Sequence, residues 1–127
     1  MAGIELSRIG AVMLGVRDVA QSLEFYKEKL ELKVIMQEPA LALLDCGGVL
    51  LGLSRGHVNL APHVAGATEV VFAVQNVRGT YKALIEKGIT FMSEPRQATP
   101  TDWVAHFKDP DGHLLSIFGP EGEEKSP

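Results

Sequence analysis

The chain of 127 residues carries four histidines, His57, His63, His106 and His113, and a single cysteine, Cys46. Imidazole and thiolate are the side chains best suited to bind transition metals or to act as bases and nucleophiles near neutral pH. Their spacing here supports neither role. No two histidines form an i, i+4 helical pair, and none joins a carboxylate at recognisable ligand spacing. They read as exposed or hydrogen-bonded side chains. Cys46 precedes a Gly-Gly turn with no histidine close by in sequence, which does not describe a nucleophile. A lone cysteine also excludes an internal disulfide framework and a cysteine-rich zinc site. Asp109-Pro-Asp-Gly112 reads as turn chemistry, with proline setting φ and glycine accepting a positive φ. Met13, Met36 and Met92 read as adaptable packing.

Composition narrows the partners. Twelve Lys+Arg against sixteen Asp+Glu give a net charge of −4, and no basic cluster interleaved with aromatics is present, so no nucleic acid is expected. Glu121, Glu123, Glu124 and Lys125 give the last residues a net of −2, half of the excess. Residues 119–127 therefore read as a disordered acidic tail. The remaining body is close to neutral. Apolar content of 46% excludes wholesale disorder. The apolar runs, such as 40–44 and 49–51, are only a few residues long, against about 18 for a bilayer span. No membrane is expected as a partner. Residues 1–6 show no basic stretch leading into an apolar one, so no signal peptide is read and the expected compartment is the cytoplasm.

The elements that would position these side chains occur twice. Ala11-Val-Met-Leu-Gly-Val16-Arg-Asp-Val19 parallels Glu69-Val-Val-Phe-Ala-Val74-Gln-Asn-Val77 at an offset of 58. Ile35-Met-Gln-Glu-Pro39 parallels Phe91-Met-Ser-Glu-Pro95 at 56, and Gly47-Gly-Val-Leu-Leu-Gly-Leu53 parallels Asp111-Gly-His-Leu-Leu-Ser-Ile117 at 64. The second copy thus carries eight extra residues between Pro95 and Asp111. Two copies are too few for a solenoid, so a paired, pseudo-symmetric single domain over 1–127 is expected. In the first copy, 9–16 is a β-rich apolar run. Asp18 caps a helix, with Gln21 approximating a capping box, and Val19, Leu23, Tyr26 and Leu30 form one helical face. Strands follow at 33–36, 40–44 and 49–53. The second copy offers a strand at 70–74, a cap at Asn76 and an apolar helical face of Val77, Tyr81, Leu84 and Ile85. Gly88 stops that helix. Strands follow at 91–92, 103–108 and 114–118. The fold class is α+β, βαβββ twice, with modules at 8–53 and 68–118 and a linker at 54–67 rich in glycine and proline.

Asp18, Ser22, Phe25, Tyr26 and Leu30, followed by Asp109-Pro-Asp-Gly112-His-Leu-Leu115, resemble the vicinal oxygen chelate superfamily of glyoxalase I, bleomycin resistance proteins and extradiol dioxygenases. The resemblance covers residues 8–118. It implies curved mixed sheets enclosing a cavity, commonly within a homodimer. Metal-dependent members take ligands from the first and last strands of each module, usually His and Glu. The matching positions here are Ala11, Gly52, Glu69 and Ser116. Only Glu69 is a competent donor, so no metal and no other cofactor are expected: a catalytic zinc site uses about three protein ligands.

Strand alternation carries the lining of that implied cavity. Ala11, Met13 and Gly15 would face inward, with Gly48, Leu50 and Gly52, then Glu69, Val71 and Ala73, then Leu114, Ser116 and Phe118. This lining is small and apolar, with one carboxylate and one hydroxyl, as a small-molecule site requires. Small side chains leave volume for a guest, or let the sheets close together. Glu69 either meets a cationic or hydrogen-bond-donating ligand, or acts as a base, or pairs with Lys or Arg at an exposed edge. Trp103 either stacks on a planar ligand or packs in a core or dimer interface. The leading function is a metal-independent small-molecule binder. The alternatives are a metal-dependent lyase, isomerase or dioxygenase of the glyoxalase type, and a metal-free enzyme using Glu69 as catalytic base.

Overall fold

The structure, a computed structural model, describes residues 8–59 and 68–122. His63 and most of the expected linker lie outside the described residues. The chain divides into two compact units, up to residue 62 and from residue 63 onward, and each is built as βαβββ.

In the first unit β1 (Ala11–Gly15) leads to helix α1 (Val19–Leu23), which runs on as a π-helix over Glu24–Lys29. Strands β2 (Lys33–Glu38), β3 (Leu41–Asp45) and β4 (Leu50–Ser54) follow, then a 3-10 turn at Gly56–Asn59. Ser54, assigned from sequence to the linker, is the last residue of β4. The sheet order is β1-β4-β3-β2, with β1 parallel to β4 and the remaining pairs antiparallel. Leu14, Leu51, Leu53, Ala42 and Leu44 share one face and are buried with Val19, Leu23 and Tyr26 of the helical segment. Full burial of each such leucine contributes about 1.5–3 kcal/mol. Asp18 caps the helix as expected, its Oδ1 accepting from the Gln21 N–H at 3.2 Å. The π-helix is not readable from a 3.6-residue period. Its register, with the Leu30 N–H donating to the Phe25 carbonyl at 3.1 Å, lets the sequence neighbours Phe25 and Tyr26 both turn inward, edge to face at 5.1 Å.

The second unit comprises β5 (Glu69–Ala73), α2 (Val77–Glu86), β6 (Arg96–Gln97), β7 (Trp103–Lys108) and β8 (Leu114–Gly119). The sheet order is β5-β8-β7-β6, again with the first pair parallel. Ala105, Phe107, Leu115 and Ile117 form the face buried with Val77 and Leu84 of α2. Asn76 Oδ1 accepts from the Gly79 N–H at 2.8 Å. At the other end Gly88, with φ 91°, closes the helix: its N–H donates to Ile85, and the Ile89 N–H to Leu84. Ile85 is not on the buried face, being 43% exposed. The expected strand at 91–92 reduces to one bridge between Phe91 and Phe107. Phe91 instead packs its ring between Tyr81 and Phe107, at 4.7 and 5.0 Å, and the outer strand forms later, at β6.

Residues 119–122, expected to be part of a disordered tail, are tied to α2. The Pro120 and Glu121 carbonyls accept from the Val77 and Arg78 N–H groups at 2.9 Å each, which are donors that the first turn of a helix leaves unpaired. Arg78 Nε also meets Glu121 Oε2 at 2.7 Å. Residues 123–127 lie outside the described residues. The internal repeat holds at the level of single bonds: the Val16 N–H donates to Ser54 and the Val74 N–H to Phe118, preserving the offsets of 58 and 64.

Candidate functional site

On the second sheet, the face opposite α2 carries Glu69, Val71 and Ala73 of β5, Leu114, Ser116 and Phe118 of β8, and Val104 and His106 of β7, by alternation from the buried residues. A concavity of about 360 Å³ lies on this face, lined by Glu69, Val71, Ala98, Val104, His106, Ser116 and Phe118. Its size is at the lower end for small-molecule sites. Val71 is 50% exposed there, an apolar side chain presented to the opening. Ala98 comes from the stretch that is longer in the second copy.

The polar groups of this face interact across a strand. His106 Nε2 stands 2.9 Å from Glu69 Oε2, with side-chain exposures of 22% and 31%. Yet β5 and β7 are not neighbours, because β8 runs between them. Strands about 4.8 Å apart put them about 10 Å from each other, so the two side chains must meet above β8. Ser116 is the β8 residue directly opposite His106, and its small side chain leaves room for that meeting. Ionised carboxylates only accept hydrogen bonds, so the imidazole Nε2–H donates to Glu69. A partly exposed pair of this kind contributes about 0–1 kcal/mol. Its contribution to folding is therefore small compared with the chemistry it presents.

Ser116 itself is fully buried, and its Oγ has no hydrogen-bond partner among the described residues. A buried hydroxyl without a partner costs about 1–3 kcal/mol. It lines the same concavity as Glu69 and His106.

The other expected site residues are placed as follows. Leu114 lies on the face of Ser116, half-buried, but outside the concavity's lining. Trp103 has the parity of Ala105 and Phe107, which puts it on the α2 side of the sheet; its ring carries the Arg78 guanidinium at 5.0 Å. Ala11, Met13, Leu50 and Gly52 share the face of the first sheet that points away from its core, with Ala11 opposite Leu50 and Met13 opposite Gly52. The volume that glycine leaves at 52 is occupied, since a Cβ there would run into the Met13 thioether. In the first unit, then, the missing side chain is replaced by packing.

A metal can be tested against the donors present. Of the four positions matched to family ligands, Ala11 and Gly52 have no donor atom, and Ser116 offers a neutral hydroxyl. Among the described residues no group of three or more His, Cys, Asp or Glu side chains is placed to hold an ion. The donor set does not fit a catalytic metal.

His106, Val104 and Ala98 are the lining residues that sequence inspection missed. The signal for His106 was available. Counting outward from the Asp109–Gly112 turn pairs Lys108 with Leu114 and hence His106 with Ser116. Ala98 had none, because it sits in the irregular stretch unique to the second copy.

Comparison with known proteins agrees with this architecture. The family model of the Glyoxalase/Bleomycin resistance protein/Dioxygenase superfamily matches residues 8–117. The uncharacterized protein YraH of Bacillus subtilis (strain 168) is 32% identical over 122 residues, covering 84% of this chain and 94% of its own. Among solved structures, a glyoxalase/bleomycin resistance protein/dioxygenase from Nocardioides superposes with a TM-score of 0.75 at 25% identity, covering 98% of this chain and 91% of that one. A lactoylglutathione lyase from Agrobacterium tumefaciens gives 0.73 at 17% identity, covering 88% and 92%, and shares the fold. No helix among the described residues is long and apolar enough to cross a membrane. With the doubled βαβββ architecture and the match over nearly its whole length, this chain belongs to the Glyoxalase/Bleomycin resistance protein/Dioxygenase superfamily.

Proposed function

We propose that the chain is a metal-independent binder of a small, partly apolar molecule, held in the concavity of the second sheet. The observation that carries this reading is the lining itself: Val71, Ala98, Val104 and Phe118 around the Glu69–His106 pair. Apolar walls with a few convergent polar groups are what a ligand site needs. The donor set argues for binding without a metal. The same reading has the protein working as a cytoplasmic homodimer, in keeping with its single cysteine and with its family; light scattering on the purified protein measures that assembly.

A thermal-shift screen of small aromatic and heteroaromatic compounds is the test, because a guest that binds only the folded state raises the melting temperature. A hit whose shift is abolished by Val71→Trp, which fills the opening, supports the site. Metal analysis of protein purified without a chelating tag accompanies it. Stoichiometric zinc, nickel, iron or manganese that persists in His57→Gln and His113→Gln variants would favour the metal-dependent lyase, isomerase or dioxygenase instead.

The Glu69–His106 hydrogen bond favours one second reading, a metal-free enzyme with Glu69 as base. A carboxylate and an imidazole in contact can relay a proton. Turnover of a screened ligand that is lost in Glu69→Gln supports it, and turnover that is unchanged removes it.

A further inference from the structure

The polar groups of the concavity select among guests, and their inventory is lopsided. Glu69 and His106 are the only lining residues that ionise. His106 donates its Nε2–H to Glu69 Oε2, which leaves Glu69 Oε1 as an acceptor with no partner among the described residues. Ser116 is fully buried and presents no polar surface to a guest. The site thus offers a carboxylate oxygen beside walls of Val71, Val104 and Phe118. Ammonium groups carry three donors and no acceptor, and a bond from charged nitrogen to carboxylate is about twice as strong as a neutral one. Anionic guests would meet the Glu69 carboxylate in a partly desolvated place, where like charges repel. A neutral acceptor such as an ether gains nothing from an ionised carboxylate, which only accepts.

We infer that this concavity takes a small primary amine with an apolar body, its ammonium held by Glu69 Oε1. The inference rests on the reading that the second sheet's concavity binds a small molecule, and names the class of that molecule. His106 positions the carboxylate by holding one of its oxygens. The apolar body covers Val71 and Phe118, and at about 360 Å³ the space suits a single ring with a short chain.

Three probes of nearly one shape test the selection by calorimetric titration: 2-phenylethylamine, 2-phenylethanol and 3-phenylpropanoate. The amine is expected to bind about tenfold tighter than the alcohol, with the carboxylate weakest. Glu69→Gln should bring amine and alcohol to within about twofold of each other. A melting temperature close to wild type confirms that this variant folds. Carboxylate bound as tightly as amine, or amine affinity unchanged in Glu69→Gln, would overturn the inference. So would the absence of binding by all three probes. In that last case a different guest that Val71→Trp displaces leaves the binding function standing without the amine. Finding no guest sensitive to Val71→Trp removes both.

Discussion

Ser116 combines full burial with a hydroxyl that has no partner among the described residues, and removing that hydroxyl tests its cost. Ser116→Ala is expected to raise the free energy of unfolding of the ligand-free protein by about 1 kcal/mol, since an unsatisfied buried oxygen is deleted with little change in volume. Urea denaturation measures it, and a loss of stability would mean that the hydroxyl has a structural partner. Cys46 is a second residue with a defined expectation. Burial, and then the neighbouring Asp45 carboxylate, raise its thiol above the ordinary value of 9.0. A raised value means less thiolate at neutral pH, so labelling by a disulfide reagent at pH 7 should be slower than for a free thiol and should climb only in strongly alkaline buffer. The same shift favours the folded state below the ordinary thiol value and disfavours it as pH rises above. At this scale the sequence made Glu69 and Ser116 legible through strand parity. Counting outward from the Asp109–Gly112 turn places His106 opposite Ser116, but its contact with Glu69 was not legible, because that partner lies beyond an intervening strand.

Individual elements differ in how much their own residues specify. Both helix starts were legible, because Asp18 and Asn76 carry the capping oxygen locally. The inner strands were legible from apolar runs, within one or two residues. The outer strand of the second unit was not: Phe91 has the composition of a strand, but ring packing with Tyr81 and Phe107 takes it instead. Two glycines show how context decides the result of one substitution. At Gly52 an added Cβ meets the free end of the Met13 side chain, which can turn aside, so Gly52→Ala should cost less than about 1.5 kcal/mol. At Gly119 the added Cβ meets the Val74 carbonyl oxygen, part of a fixed backbone. Gly119→Ala should therefore cost about 3 kcal/mol or more. Chemical denaturation of the two variants side by side checks the contrast; equal losses would contradict it.

For the molecule as a whole, the informative prediction concerns its last described residues. Truncation after residue 119 removes the Pro120 and Glu121 carbonyls from the start of α2, together with the Arg78–Glu121 pair. Two backbone hydrogen bonds at about 0.5–1.5 kcal/mol each put the expected loss at about 1–3 kcal/mol. With truncation after residue 122 as the reference, denaturant midpoints of the two proteins measure the difference. Composition pointed the other way here. Acidic, small and proline-rich residues read as tail, and only the position of α2, with unpaired N–H groups at its first turn, turns them into a clasp. The doubled βαβββ order, the family, the helix caps and the poverty of metal donors were all carried by the amino-acid sequence itself, because they depend on residue type and on spacing along the chain. The Glu69–His106 pair over β8, the filling of Gly52 by Met13 and the turning of Trp103 toward Arg78 were decided by tertiary structure alone. Each depends on a distance across a sheet, set by strand order and register rather than by the chain between the residues.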